Sequence, residues 1–207
     1  MAVQKRRLRH LGVGLAVFLS VAAASVPRTA LAASGAAGFM TDLGDRVVAL
    51  IKDKQTPDAQ RKQQFAALAT QSFDVPKIAR FVLGRYWLGA SDEQRQQFIQ
   101  AFESYMIDVY WSRFSQYSGV SFKVTGEHDE GNGRVAVTSE IVQTAGKPPA
   151  KVDWWLTPSN GAYKISDISI EGVSQGIAYR EEFAAVIERH GGQVAALIDQ
   201  LRHKANG

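Results

Sequence analysis

The residues best suited to metal binding or nucleophilic chemistry are few and scattered in this sequence of 207 residues. It contains no cysteine, which excludes thiolate ligands and a cysteine nucleophile. Three histidines follow residue 32: His128 lies in an acidic segment, and His190 and His203 lie at the ends of the last two predicted helices. None has a second candidate ligand at metal-motif spacing, and no H-E-x-x-H motif or glycine-rich phosphate loop is present. We therefore expect neither a metal nor a cofactor.

Three carboxylates on predicted strands, Glu140, Asp153 and Asp167, are the remaining candidates for acid–base chemistry. An enzyme resembling ketosteroid isomerase could be built on a curved sheet covered by helices, and it would require a buried carboxylate beside a tyrosine hydroxyl. Strand carboxylates usually face solvent. We therefore expect a protein that is not an enzyme.

The first 32 residues have the layout of a secretory signal peptide. Lys5, Arg6, Arg7 and Arg9 precede an apolar run over residues 11–24. That run is shorter than the roughly 18 to 20 residues needed to span a bilayer. Residues 30–32 (Ala-Leu-Ala) then provide the small-x-small pattern of a cleavage site. We predict cleavage after residue 32, export to the periplasm, and a single domain over residues 33–207.

The basic character of the chain comes from this leader. Without residues 1–32 the chain loses five basic and no acidic residues, which leaves 19 Lys and Arg against 20 Asp and Glu. A protein that binds nucleic acid normally carries a basic surface that neutralises phosphates. We therefore expect no nucleic-acid partner.

Apolar residues at helical spacing predict helices on both sides of a central region. The predicted helices are two within residues 38–71 joined at Pro57 and capped by Thr56, then 75–82 capped by Asp74, 91–117 with a capping box at Ser91 and Gln94, 180–189, and 193–201. Between the fourth and fifth, the spacing of apolar residues changes to two. This predicts strands over 120–125, 134–142, 150–156 and 163–170.

The last predicted strand changes phase, because Tyr163 and Ile165 alternate in one register and Ile168 and Ile170 in the other. A bulge near residues 166–167 would accommodate that change and bend the sheet. Helices before and after a meander of strands predict an α+β fold, with a curved four-stranded antiparallel sheet covered by helices on one face. Such a fold can enclose a cavity.

Two segments are more apolar than packing on one sheet requires. The helix over residues 91–117 has apolar residues on more than one side, so it must be covered by the first helices or face a pocket. Residues 81–89 hold five large apolar side chains where a polar loop is expected, which indicates either a buried plug or the lip of a cavity. Adjacent Trp154 and Trp155 must face opposite sides of their strand.

Several short motifs in a fixed order resemble those of one protein family. They are F-D-V (73–75), V-L-G-R-Y-W (82–87), D-E-Q-R-Q-Q-F (92–98), I-S-I-E-G-V-S (168–174) and Y-R-E-E-F (179–183). The chain resembles the MlaC family of toluene-tolerance auxiliary proteins, which includes the hopanoid-associated HpnM branch. The resemblance runs from about residue 39 to 201. It implies an NTF2-like or MlaC-like fold with an internal lipid pocket.

The resemblance implies a periplasmic phospholipid-binding protein that exchanges lipid between an outer-membrane lipoprotein complex and an inner-membrane ABC transporter. A hopanoid ligand, or an adaptor role without any small ligand, remains an alternative. We predict a pocket lined by Leu83, Trp87, Phe102, Tyr105, Val109, Val137 and Trp154. Arg85 or Arg180 is the candidate contact for a lipid phosphate, and each could equally be a surface charge or a salt-bridge partner.

Overall fold

The computed structural model describes residues 35–116, 119–142, 146 and 148–205. The predicted signal peptide lies outside these residues. The helices are α1 (Ala36–Lys52), α2 (Asp58–Ser72), α3 (Val75–Leu83), α4 (Tyr86–Gly89), α5 (Asp92–Phe114), α6 (Gln175–Arg189) and α7 (Val194–Ala205). The strands are β1 (Ser121–Gly131), β2 (Arg134–Val142), β3 (Ala150–Ser159), β4 (Ala162–Ile170) and β5 (Val173–Ser174). None of the described helices is long and apolar enough to cross a membrane.

The strands form one antiparallel meander in the order β1-β2-β3-β4-β5. The predicted α+β class and the four predicted strands are confirmed, and the short β5 is an addition. Strand β1 continues six residues beyond its predicted end at residue 125, because its polar second half pairs with β2. Asn132–Gly133 turns β1 into β2 and Asn160–Gly161 turns β3 into β4, both with positive φ, as turn chemistry predicts.

The predicted bulge in β4 is present. Leu156 pairs with Ile165 and the adjacent Trp155 pairs with Asp167, so Ser166 is the extra residue. Because one residue is skipped, the apolar side chains before and after it lie on the same face of the sheet despite their change of phase. A bulge also bends the strand that contains it.

Most predicted helix caps are confirmed. The Asp74 carboxylate accepts a hydrogen bond from the Lys77 N–H, and Ser91 and Gln94 form the capping box at the start of α5. The prediction for Thr56 is wrong, because Pro57 is the cap residue of α2 and no side chain caps that helix. The Asp53 carboxylate instead accepts hydrogen bonds from the backbone N–H groups of residues 55 and 56.

Two predicted helix limits also move. Helix α6 begins at Gln175, five residues before its predicted start, because Ser174 caps it and accepts a hydrogen bond from the Ile177 N–H. Helix α5 ends at Phe114 instead of at residue 117, which lies outside the described residues.

Side chains pack into two separate cores. The first joins α3, α5, α6 and α7 without the sheet, and its most buried members are Val82, Leu83, Phe98, Phe183, Ile187, Leu197, Ile198 and Leu201. The second joins α1 and α2 to one face of the sheet through Ala36, Met40, Leu43, Leu68, Val137, Leu156 and Ile165. Helix α5 packs on α2 as well as on α7, so it lies between the two cores.

Candidate functional site

A cavity of about 530 Å³ lies between α1, α2, α5 and one face of the sheet. Its wall is almost entirely apolar. The apolar lining residues are Met40, Leu43, Val47, Val48, Ile51, Phe65, Leu68, Ala69, Phe73, Val75, Ile78, Phe102, Met106, Ile107, Phe114, Val120, Phe122, Ile141, Val152, Trp154, Ile168 and Ile170. Its volume falls within the roughly 300 to 1,000 Å³ of small-molecule sites in proteins.

On the inner face of the sheet, some side chains pack in the second core and others line the cavity. Val137, Leu156 and Ile165 are fully buried in the second core. Farther along the same face, Trp154 and Ile168 are paired across β3 and β4 and line the cavity. Alternation along each strand places all of these side chains on one face, and the bulge at Ser166 keeps Ile168 among them.

The indole of Trp154 can serve as an apolar wall because its N–H group is satisfied. It donates a hydrogen bond of 2.8 Å to the Ser139 hydroxyl, which is itself fully buried. The Ser139 hydroxyl lies 3.3 Å from the Val152 carbonyl oxygen, to which it donates. The Trp154 ring also packs at a steep angle against Phe122. Trp155, on the opposite face, is half-buried beside its partner Ala136.

Helix α5 lines the cavity with one of its three apolar sides. Phe98 and Tyr105 belong to the first core. Trp111 lies against Phe65 of α2 and donates a hydrogen bond to Asp58. The third side of the helix lines the cavity with Phe102, Met106, Ile107, Tyr110 and Phe114. The apolar excess seen in the sequence therefore serves packing and cavity together.

Helix α1 approaches the sheet closely at one point. Gly44 lies in the cavity wall, and a Cβ atom at this position would overlap the ring of Phe122. Only glycine avoids this overlap without a shift of the ring or of α1. The glycine thus sets the spacing between α1 and β1 and leaves the Phe122 ring in place as part of the wall.

Only two of the seven apolar residues predicted for the pocket lie in this cavity, namely Phe102 and Trp154. The others fill the cores. Leu83 and Tyr105 are buried in the first core, Trp87 and Val109 pack against it, and Val137 is buried in the second. Sequence spacing showed that these residues face inward, but could not tell a packed interior from a hollow one.

Neither arginine predicted for the phosphate lies in the cavity wall. Arg85 pairs with Glu188 and donates a hydrogen bond to the Tyr86 hydroxyl. Arg180 lies over the ring of Phe81, 5.3 Å from its centroid. Both side chains therefore stabilise contacts among α3, α4 and α6 at the protein surface.

None of residues 81–89 lines the cavity. Trp87 packs against the first core, and the guanidinium of Arg95 lies 5.5 Å from the centroid of its ring. Arg95 also donates a hydrogen bond of 2.9 Å to the Trp87 carbonyl. Leu88 is 80% exposed. Val82 and Leu83 are buried in that core, so the segment fixes a short surface turn to it.

Tyr110, Arg113 and Tyr179 are among the polar residues of the cavity wall that sequence reasoning missed. Burial raises the pKa of Tyr110 and of Tyr179 above the usual value of a phenol. The positive charge of nearby Arg113 offsets part of this rise. Both hydroxyls are therefore neutral at physiological pH. Arg113 is exposed and also lines the cavity, so the cavity reaches solvent here. The signal available in the sequence was the change from apolar to polar residues at the end of α5.

A second polar edge lies ten residues earlier on α5. The Thr70 hydroxyl donates a hydrogen bond of 2.6 Å to the Glu103 carboxylate, and both residues line the cavity. The nearby Lys164 ammonium donates to the backbone carbonyls of residues 70 and 71. This edge therefore carries a carboxylate, and the lysine beside it is already bound to backbone oxygen atoms.

Asp167 is the one carboxylate of the predicted acid–base candidates that lies in the cavity wall among the described residues. Its oxygen atoms accept three hydrogen bonds, from the N–H groups of Ile168 and Gly176 and from the Ser174 hydroxyl. It thereby joins β4 to the start of α6. Asp153 lies on the opposite face of the sheet, where it accepts a hydrogen bond from Thr138.

Residues 172–176 also fit the pattern G-x-S-x-G of many serine hydrolases, and Ser174 lies between a strand and a helix. Its hydroxyl is used as a helix cap and donates to Asp167. Its φ of −62° lacks the strain of a nucleophile elbow. Among the described residues no histidine forms a hydrogen bond with Ser174, and His190 bonds the Val186 carbonyl at the far end of α6.

The fold and the cavity define a class of small α+β proteins in which helices and an antiparallel sheet enclose an apolar ligand site. The sequence model of the MlaC protein matches residues 41–203. The chain therefore belongs to the MlaC family, which confirms the resemblance seen in its motifs.

Individual relatives agree with this assignment. The intermembrane phospholipid transport system binding protein MlaC of Haemophilus influenzae is 22% identical over 188 residues, which cover 87% of each chain. The toluene tolerance protein of Pseudomonas putida is 23% identical over 115 residues, or 56% of this chain and 53% of that one. The phospholipid-binding protein from Ralstonia solanacearum, solved in complex with a phospholipid, shares the fold. Its TM-score is 0.70 at 24% identity, over 82% of this chain and 96% of that one.

Proposed function

We propose that this chain is a periplasmic carrier that binds the acyl chains of a phospholipid in the cavity. It would move the lipid between an outer-membrane lipoprotein complex and an inner-membrane ABC transporter. The observation that carries the proposal is the apolar cavity of about 530 Å³ in a member of the MlaC family. A relative named as the binding protein of an intermembrane phospholipid transport system supports the same function.

The wall of the cavity suits hydrocarbon better than a polar ligand. Its helices and strands contribute aliphatic and aromatic side chains, and the Trp154 N–H is bonded to Ser139 instead of pointing at a ligand. An acyl chain needs no hydrogen bonds and gains free energy from each methylene removed from water. Polar side chains are confined to edges of the cavity, where a headgroup can reach water.

The size of this free energy dictates how such a lipid can be released. Two acyl chains with roughly thirty methylenes, at ~0.8 kcal/mol each, give on the order of 25 kcal/mol for transfer out of water. Release into water is therefore too slow to be useful. A membrane or a partner protein of similar apolarity must receive the lipid, and docking then needs to shift an equilibrium by only a few kcal/mol.

A carrier fits the polar groups of the site better than an enzyme does. Asp167 and Ser174 are bonded to each other and to the backbone, and Glu103 accepts a hydrogen bond from Thr70. Each of these side chains stabilises the fold where it stands. A hydrolase or an isomerase would need one of them free and aimed at a substrate.

Periplasmic location is supported by the sequence of the leader. The basic residues before the apolar run at 11–24, and the small residues at 30–32, are those of an exported protein. Export places the protein between the two membranes that the proposed function connects. A cleaved leader would also leave a chain of nearly balanced charge.

The proposal is tested by following transfer of a fluorescent phosphatidylglycerol from donor to acceptor vesicles, with the protein purified from the periplasm. We expect a transfer rate that rises in proportion to protein concentration, above the spontaneous rate measured without protein. A rate equal to the spontaneous one would contradict a carrier function. Strong competition by an unlabelled hopanoid, with none by unlabelled phospholipid, would assign the cavity to the hopanoid alternative instead.

A further inference from the structure

We propose that Arg113 binds the phosphate of the lipid headgroup, and that the acyl chains run from this residue into the cavity. This inference rests on the proposed function, since it assigns the orientation of the lipid in the same cavity. It replaces Arg85 and Arg180, which the sequence suggested for this role and which pack against other side chains away from the cavity wall.

The position of Arg113 is the first argument. It lies in the last turn of α5, it is exposed, and it lines the cavity, so its side chain can contact both a buried ligand and water. It is the one lysine or arginine in the cavity wall within the described part of the chain. A guanidinium at such a boundary can hold a phosphate with two parallel hydrogen bonds.

The charge of Arg113 is available to a ligand. Among the residues that the structure describes, no carboxylate forms an ion pair with its guanidinium. Asp167 lines the same cavity, but its two oxygen atoms accept hydrogen bonds from Ile168, Ser174 and Gly176. An anionic headgroup could therefore bind the Arg113 guanidinium without breaking an existing ion pair.

Two tyrosines extend this edge toward the apolar wall. Tyr110 lies one turn before Arg113 on α5, and Tyr179 approaches from α6. Burial raises the pKa of both, so each stays a neutral hydroxyl. Such groups can donate hydrogen bonds to phosphate or ester oxygen atoms without adding charge beside the acyl chains.

The other polar edge disfavours the reverse orientation. Glu103 precedes Arg113 by ten residues on α5, or about 15 Å along the helix axis. Its carboxylate repels a phosphate, and the Lys164 ammonium beside it is bound to backbone carbonyls. The two ends of the α5 face therefore differ in charge, and the positive end is the one that fits a headgroup.

The test compares a lipid that carries a phosphate with one that lacks it. Binding of phosphatidic acid and of diacylglycerol with the same acyl chains is measured by competition with a fluorescent fatty-acyl probe. We expect the wild-type protein to bind phosphatidic acid about tenfold more tightly than diacylglycerol, as for a charge-assisted contact. In Arg113→Gln that ratio should fall to near one, with the affinity for diacylglycerol unchanged. Arg113→Lys should keep part of the preference.

Lys164→Gln is the matched control, because it removes a cation at the other edge, and it should retain the wild-type ratio. An Arg113→Gln variant with the wild-type ratio would overturn this inference and leave the carrier function standing. A wild-type protein that binds neither lipid would overturn the carrier function and this inference with it. Thermal unfolding of each variant verifies that the substitutions leave the protein folded.

Discussion

Single residues decide whether the space beside the sheet is a cavity or a packed interior. Gly44 lets α1 lie close to β1 while the Phe122 ring stays in the wall. Ser139 satisfies the Trp154 indole, so that the ring can present an apolar surface. Tyr110 and Tyr179 bring hydroxyl groups to the open edge without charge. At each of these positions a small change of chemistry would alter the cavity directly.

Replacing Gly44 by alanine should destabilise the protein although alanine is the better helix former. The added methyl group overlaps the Phe122 ring, and such overpacking costs about 1 to 3 kcal/mol. The free energy of unfolding in urea measures the effect. Gly89→Ala is the control, since no described atom outside its chain neighbours and the backbone of its own helix lies within 4 Å of its Cβ position. Equal stability of the two variants would show that α1 can shift freely.

The buried tyrosines predict how stability depends on alkaline pH. Burial raises the pKa of Tyr110 and Tyr179 in the folded protein, while an unfolded chain releases these protons near pH 10. The stability that they contribute is present below about pH 10 and is lost as the pH rises above it, because the unfolded state then binds fewer protons.

Urea unfolding between pH 9 and 11 measures this loss. We expect the wild-type free energy of unfolding to fall by about 1 kcal/mol per pH unit more than that of the double variant Tyr110→Phe, Tyr179→Phe. The phenylalanines keep the ring contacts of Tyr179 with Phe102 and Phe183. Parallel pH profiles for the two proteins would mean that the phenols ionise as freely in the fold as in the unfolded chain.

At the scale of elements, the connection from the sheet to α6 depends on one side chain. Asp167 bonds the N–H of Gly176 and the hydroxyl of Ser174, and so fixes how α6 leaves the sheet beside the cavity. The short β5 pairs with the end of β4 in the same turn. Loss of this carboxylate should therefore loosen the start of α6 and the edge of the cavity that it forms.

Asp167→Ala should lower the free energy of unfolding by about 2 kcal/mol, because it removes the acceptor of two backbone N–H groups, of Ile168 and Gly176, and of the Ser174 hydroxyl. Asp167→Asn should cost less, since its amide oxygen can still accept from the backbone. Hydrogen exchange at Gly176 and Ile177 reports the local effect. If the alanine variant equals the wild type in both measurements, the three hydrogen bonds do not hold α6 in place.

Much of the arrangement of helices and strands could be predicted from the sequence. The bulge followed from the phase change between Ile165 and Ile168, and the starts of α3 and α5 followed from Asp74 and Ser91. The two-residue strand β5 could not be predicted, because so short a strand has no periodicity of its own. Only the turn at Glu171 and Gly172, which both have positive φ, signals that a further strand turns back.

The cavity itself was only partly predictable. Helix α5 has apolar residues on three sides, so its sequence cannot tell which side meets α7, which meets α2 and which faces a ligand. Phe102 was predicted for the pocket and lies both in its wall and in the helical core, whereas Tyr105, one turn further on, belongs to that core alone. The difference depends on long-range packing between helices far apart in the chain.

At the scale of the whole molecule, the cavity lies between two packed cores. The helical core of α3, α5, α6 and α7 packs without the sheet, and the core below α1 rests on the sheet. This division allows a hollow space to be kept open while each side stays folded. A carrier needs this property, because it must survive both loading and release of its lipid.

Native mass spectrometry of the protein, purified from the periplasm without detergent, tests the central claim most directly. We expect phospholipid bound to the wild-type protein and to Gln100→Trp, whose substitution lies on the exposed side of α5. Ile107→Trp fills the cavity from the same helix and should lower the bound fraction by about fivefold, equivalent to ~1 kcal/mol of lost acyl contact. A wild-type protein that carries no lipid, or equal loading of the two variants, would contradict the account.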